Sequence, residues 1–281
     1  MIKKTLYFII ILFVTLIIYL SYFGIKTKTF NGRIENRIQK NYPDIKLKLG
    51  DIKILLNISK LSIDLQTDYP TILLENDKIK FKSVSTTYDL KSFFKREFAI
   101  KNLAIDSEKN QIKKIIKFTR SYKDSPQLLI IDKIIKKGNI EISIKLNFDE
   151  KGKLKEDKYE IVADIENLSI ELFNKQKIDK VSCNIKYIKN KIQIKNLKSE
   201  YQGLELFMKN VYLIKKNKYY LVEGDIESKE SVVSNSIINM FVKNENFKNI
   251  TLSSNNNFKF NLSRKFKFSD LKLISKINLI K

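Results

Sequence analysis

From Ile45 onward apolar and polar residues alternate with a period of two, and the alternation persists for most of the chain. It starts at Ile45, Leu47 and Leu49, breaks at Gly50 and Asp51, and resumes at Ile52, Ile54, Leu56 and Ile58. Leu61, Ile63 and Leu65 follow, then Ile79 and Phe81, then Leu103 and Ile105. The cleanest run is Ile140, Ile142, Ile144, Leu146 and Phe148; Ile161 and Ile170 lie in the next two. Near the C-terminus Phe258 and Phe260 flank Lys259, and Phe266 and Phe268 flank Lys267. Successive side chains of a strand point to opposite faces, so such a pattern buries one face and wets the other. β-branched and aromatic residues fill these segments, as strands prefer. The pattern predicts about fifteen short strands joined by brief turns. Only seven Gly and three Pro punctuate 281 residues. A compact sandwich shows more turn residues, so the expected fold is mainly β: a long, curved antiparallel sheet forming an open groove.

Two or three interruptions carry helical spacing instead. Asn110–Tyr122 places Ile112, Ile115, Ile116 and Thr119 on one face, and Pro126–Lys137 turns Leu128, Ile131, Ile134 and Ile135 inward with Gly138 closing it. Ser231–Val242 spaces Val233, Ile237 and Phe241 by four. Such short helices either cap or plug a sheet edge, or lie on a membrane surface.

Ahead of all this, Thr5–Ile25 is a run of 21 uncharged residues, fourteen of them Leu, Ile, Val or Phe. As a helix it spans about 31 Å, close to the roughly 30 Å hydrocarbon core of a bilayer. Leu6, Phe8, Ile10, Leu12, Val14, Leu16, Ile18 and Leu20 are its candidate lipid-facing residues, and insertion is favoured by roughly 4–8 kcal/mol at most. The run exceeds the apolar core of a signal peptide, and Ser21-Tyr22-Phe23-Gly24-Ile25 offers no small-residue cleavage site. The expected organisation is therefore a membrane anchor over 1–28, a linker or short helix over 29–44 ended by Pro43, and a β domain over 45–281. Counting flanking Lys and Arg places the large domain in the cytoplasm, but Lys is abundant throughout and carries little positional information.

The net charge is +23, yet only five of the 54 basic residues are Arg. Nucleic-acid readers favour Arg and interleave aromatics for stacking; here Lys is spread singly along strand faces, so no nucleic-acid partner is expected. Solvated faces explain the excess, with attraction to anionic lipid as the functional alternative. With no His, Ser-His and Cys-His catalysis and His-containing metal sites are excluded. Cys183 lies in an alternating stretch and is expected to be a buried structural thiol. The acidic pairs Asp149-Glu150 and Glu156-Asp157 lie in a polar loop tip. The chain is not expected to be an enzyme, and no cofactor is expected.

The order of elements resembles that of a known family. An N-terminal membrane helix is followed by Leu47-Lys48-Leu49-Gly50-Asp51-Ile52, then Leu61–Leu65, Ile79–Phe81, Tyr88-Asp89-Leu90-Lys91-Ser92-Phe93-Phe94, Phe98–Ile105 and an Ile-rich helix. Over roughly residues 1–145 this resembles the start of an AsmA-like protein of the YhdP/TamB-type branch. The resemblance implies a single-pass anchor in the bacterial inner membrane with the bulk of the chain in the periplasm, contrary to the Lys count. It implies a β-groove lined with apolar side chains that serves phospholipid transport between inner and outer membranes and envelope biogenesis. The groove lining it implies is Leu47, Leu49, Ile54, Leu56, Leu61, Ile63, Leu65, Ile79, Phe81, Ile140, Ile142, Ile144, Leu146, Phe148, Ile161, Ile170, Phe258, Phe260, Phe266 and Phe268. Members of that branch are commonly far longer, so the chain is expected to be a fragment, a short relative or one piece of a split system, with envelope proteins continuing the conduit.

A conduit also makes physical sense. About thirty acyl methylenes at about 0.8 kcal/mol each oppose release of a phospholipid into water by roughly 20 kcal/mol. An apolar trough offsets most of that with no nucleophile, metal or cofactor. Two alternatives share the anchor: an LptC-like bitopic carrier with a closed β-jelly roll, and an envelope assembly or scaffold protein with a filled interior.

Overall fold

The structure is a computed structural model, and it describes residues 2–155, 158–172, 175–233, 250–263 and 267–280. Helix α1 (Ile2–Tyr22) is followed by β1 (Ile25–Thr27), α2 (Asn31–Asn41), β2 (Ile45–Lys48), β3 (Ile52–Asn57), β4 (Ser62–Asp68), β5 (Thr71–Leu74) and β6 (Asp77–Asp89). Then come α3 (Leu90–Phe94), β7 (Ile100–Ser107), β8 (Asn110–Gln111), α4 (Ile112–Tyr122), α5 (Pro126–Ile134) and β9 (Ile135–Asn147). The remainder is strand: β10 (Glu160–Glu171), β11 (Lys177–Ile188), β12 (Lys191–Tyr201), β13 (Leu204–Lys215), β14 (Tyr219–Val233), β15 (Ile250–Ser263) and β16 (Phe268–Ile280). The strands belong to one large open antiparallel sheet in the order β1-β3-β4-β6-β7-β9-β10-β11-β12-β13-β14-β15-β16; β2 and β5 extend β6, and β8 pairs with β9. By contacts the chain divides into two compact units, Met1–Glu108 with Ile142–Glu160, and Lys109–Glu141 with Ile161–Lys281.

In the first unit no residue of α1 from Lys4 to Tyr22 is buried, and this stretch is long and apolar enough to cross a membrane. The helix stops at Tyr22 because Gly24, at φ +69°, turns the chain into β1. Residues 25–27, read from the sequence as part of the anchor, are instead an edge strand, with Ile25 opposite Ile54 and Thr27 opposite Ile52. Helix α2 is tied to the loop after β2, where Glu35 accepts from the Leu49 N–H at 2.8 Å and Asn31 donates to the Gly50 carbonyl at 2.9 Å. The β2-β5-β6 extension buries Ile45, Leu74 and Ile79.

In the second unit α4 and α5 build a core. Ile112 and Ile116 of α4 pack with Ile135, Ile165, Leu168, Val181 and Cys183, and Ile131 and Ile134 of α5 close over them. The i, i+3, i+4 spacing of the Ile residues makes this face continuous. Ser125 caps α5 by accepting from the Leu128 N–H, and Pro126 fits the first helical turn, where no N–H is needed. Gly138 does not close this helix. It lies inside β9 at φ +142°, where a Cβ would meet the Leu168 Cα at 2.8 Å, so its role is to let β10 approach. Nor do Ser231–Val233 form a helix: they end β14, paired to β15. Ile237 and Phe241 lie outside the described residues.

Candidate functional site

Register brings the apolar residues of the first unit into rows across the strands. Ile52, Thr67, Val84, Ile105 and Ile144 stand opposite one another in β3, β4, β6, β7 and β9. Ile54, Leu65, Thr86, Leu103 and Leu146 form the next row, and Leu56, Ile63 and Tyr88 the third. Residues directly opposite in an antiparallel pair share a face, so these rows are one apolar surface; Ile142 joins it, two residues before Ile144. The other parity is polar: Lys53, Gln66, Ser85, Ala104 and Lys145 form one row, and Leu55, Asp64, Thr87, Asn102 and Asn147 another.

Burial distinguishes this surface from a core. Ile52 and Thr67, at one end of the first row, are buried, but Ile54, Leu65, Leu103, Ile105, Ile144 and Leu146 are all half-buried, none of them fully. Residues clamped between two layers are excluded from water, as Ile79 is at 1% exposure. The polar face is tied by its own hydrogen bonds: Thr87 Oγ1 donates to Asp64 at 2.6 Å and accepts from Asn102 at 3.0 Å. A hollow of about 510 Å³ is lined by residues of both parities, among them Asp64, Thr87 and Asn102 together with Leu65, Leu103 and Leu146.

The remaining residues singled out from the sequence are distributed as follows. Leu6, Phe8, Ile10, Leu12, Val14, Leu16 and Ile18 are exposed along α1, and Leu20 is half-buried. Leu47 lies in β2, opposite Ile72 of β5. Leu49 lies after β2 and is held through its N–H by Glu35, so it is no strand residue. Leu61 is a correction: at φ +47° it occupies the β3–β4 turn and is 44% exposed, because the chain must reverse there. Ile79 is a second correction, since the protein's own packing encloses it. Phe81 stands opposite Ser107, and Phe148 packs edge-on against Phe98 at 5.8 Å.

In the second unit Ile140 and Ile170 pack against the core under α4 and α5 rather than lining an open surface. Ile161 is half-buried in β10, two residues before Ala163 on the same face. Farther along this sheet the apolar row Ile185, Ile194, Val211, Gly224, Phe258 and Leu273 runs through β11 to β16. Phe258, Phe260 and Phe268 form a string of rings with centroids 5.9 and 5.3 Å apart, while Lys259 on the opposite face pairs with Glu223 at 3.3 Å. Phe268 and Leu273 are 71% and 57% exposed. Phe266 lies outside the described residues.

Two ionisable groups are strongly perturbed, and both are structural. Asp89 is held down to about 2 by its hydrogen bond with Lys101 and by the Ser92 hydroxyl and N–H, against the opposing effect of burial. Cys183 is pushed up to about 11, mainly by burial. The carboxylate of Asp149 accepts the N–H groups of Lys153 and Lys151 and so shapes its loop; Glu156 and Asp157 lie outside the described residues. Among the described residues no group of three His, Cys, Asp or Glu side chains is placed to hold a metal ion.

Fold and surface together define a mainly β, single-sheet protein preceded by an apolar helix of membrane-spanning length. Comparison with protein-family models, with curated proteins and with solved structures finds no match for this chain.

Proposed function

We propose that α1 anchors this protein in the bacterial inner membrane as a single pass, and that the periplasmic sheet shelters phospholipid acyl chains on their way between membranes. The reading is carried by one observation: mostly half-buried apolar rows, Ile and Leu in β3, β4, β7 and β9 joined by Val84, Thr86 and Tyr88 of β6, cross these strands on one face, while the other face is largely polar. A contiguous, partly wet apolar surface of this kind is costly unless something apolar occupies it. An acyl chain suits it because the rows present only hydrocarbon, Thr hydroxyls and one Tyr ring. The resemblance to AsmA-like proteins supports the same assignment. Envelope proteins that extend the path on either side are the partners this reading requires.

The core under α4 and α5 favours a second role for that part of the chain, as a plug or docking body in a larger envelope assembly. The two roles are separated by photo-crosslinking in the full-length protein. Probes at Leu103 and Ile144 are expected to yield phospholipid adducts by mass spectrometry, while probes at Ala104 and Lys145 yield none. If adducts are missing at all four positions, lipid handling is wrong and the scaffold role stands.

A further inference from the structure

In the first unit the register fixes which end of the sheet faces α1. Strand β1 leads away from the helix and is antiparallel to β3, with Ile25 opposite Ile54. Strand β3 therefore runs back toward the α1 end, and its last residue, Asn57, lies about 10 Å beyond Ile54 at roughly 3.3 Å per residue. The β3–β4 turn follows there. Ser62 stands opposite Asp89, so β6 finishes at the same end and delivers α3 to it, with the Leu90 N–H donating to the Leu61 carbonyl.

What gathers at that end is unlike the rest of the surface. Phe93 and Phe94 of α3 are 53% and 79% exposed, and Ile58 and Leu61 of the adjoining turn are 48% and 44% exposed. Lys91, Lys95 and Arg96 surround them, all exposed, against one acid, Glu97. The three cations make no ion pair among the described residues. Tyr22, which closes α1, and Phe23, which follows it just before β1, are also exposed. Aromatic rings ringed by Lys and Arg suit the boundary between headgroups and acyl chains, where the ring meets hydrocarbon and the cation meets phosphate.

We propose that α3 and the β3–β4 turn form a second membrane contact, a wedge whose Phe93 and Phe94 enter the interface of an anionic phospholipid bilayer beside α1. The inference rests on the reading that α1 lies in that bilayer. Two contacts, a helix and a wedge, orient the sheet with this end against the membrane, where one helix alone leaves the domain free to swivel. The apolar rows that start at Leu56, Ile63 and Tyr88 then open at the bilayer surface.

The chain contains no Trp, so one introduced Trp reports its own depth. The full-length protein is reconstituted into phosphatidylcholine vesicles, with or without phosphatidylglycerol, whose acyl chains carry bromine as a quencher. Phe13→Trp marks the membrane interior, and Tyr69→Trp, exposed at the far end of β4, marks water. Phe94→Trp is expected to be quenched when phosphatidylglycerol is present, and Tyr69→Trp to stay unquenched. Exchanging Lys91, Lys95 and Arg96 for Gln in the Phe94→Trp chain should lower the docking equilibrium constant about fivefold per charge, read as a fall in the quenched fraction. Leu61→Trp repeats the measurement on a different element should α3 not tolerate Trp. Quenching of Phe13→Trp with Phe94→Trp and Leu61→Trp as dark to bromine as Tyr69→Trp overturns the wedge. An unquenched Phe13→Trp overturns the anchor itself, and the wedge with it.

Discussion

The carboxylate of Asp89, with only 4% of its side chain exposed, meets the Lys101 ammonium at 2.7 Å across the bulge where β6 pairs with β7. Its other oxygen accepts from the Ser92 N–H at 3.1 Å and the Ser92 hydroxyl at 2.7 Å, so the same residue caps α3. One buried charge thus fixes the short helix that carries Phe93 and Phe94 to the end of the sheet. A five-residue helix has too few internal hydrogen bonds to persist alone, and the cap and ion pair supply what its length does not.

This arrangement makes α3 sensitive to acid. A carboxyl held at about 2, against 3.8 ordinarily, stabilises the fold fully above the higher value and loses that contribution as pH falls through the lower. Amide protection at Ser92–Lys95, followed by hydrogen exchange in detergent micelles, should therefore drop between pH 4 and 2. Asp89→Asn should cost about 1–2 kcal/mol at neutral pH and abolish that acid step. An unchanged acid step in the variant would assign it to another group.

Gly24 joins the apolar helix to the sheet at φ +69°, and an added Cβ would lie 2.4 Å from the Ile54 carbonyl oxygen. Gly24→Ala should break the β1–β3 pairing at a cost of about 1–3 kcal/mol, leaving α1 insertion intact. Faster exchange at Ile25–Thr27, with unaltered resistance to carbonate extraction, is the expected pair of results.

The second unit contains both covered and uncovered apolar surface, and truncation distinguishes them. Ile116→Ala, in the core at 6% exposure, should lower stability by about 2–4 kcal/mol in denaturant titrations of the detergent-solubilised protein. Leu273→Ala, at an exposed position of β16, should cost no more than about 0.5 kcal/mol.

The Cys183 thiol should resist alkylation. Raising its pKa from 9.0 to about 11 lowers the thiolate fraction at pH 8 about a hundredfold. Modification by iodoacetamide in the native protein should be slower than in urea by at least that ratio. Equal rates would mean that the β11 face is open to water.

Alternation over Ile140–Phe148 identified the core of β9, and the Ile spacing identified α4, because each pattern matches the period of its own backbone. The inward placement of Cys183 was legible on the same grounds, as was the separation of Phe258 and Phe260 from Lys259. Leu61 and Ile79 obey the same alternation, yet one turns the chain and the other is sealed inside. Periodicity reports the parity of a side chain, and parity is silent on what lies above the face. The α3 tip was hidden for a related reason: Asp89-x-x-Ser92 is a capping signal, but its importance depends on Lys101 arriving from β7.

The sequence by itself determined that this protein is an apolar helix of membrane length followed by strands with one apolar side, since hydrogen-bond geometry and the hydrophobic effect act on neighbours a few residues apart. Tertiary structure alone decided that Ile25 pairs with Ile54, that α4 and α5 cover Ile140 and Ile170, and that Leu103 and Ile144 stay half-open. Those outcomes depend on strand register and on which layer docks on which face, both set by contacts between residues far apart in the chain.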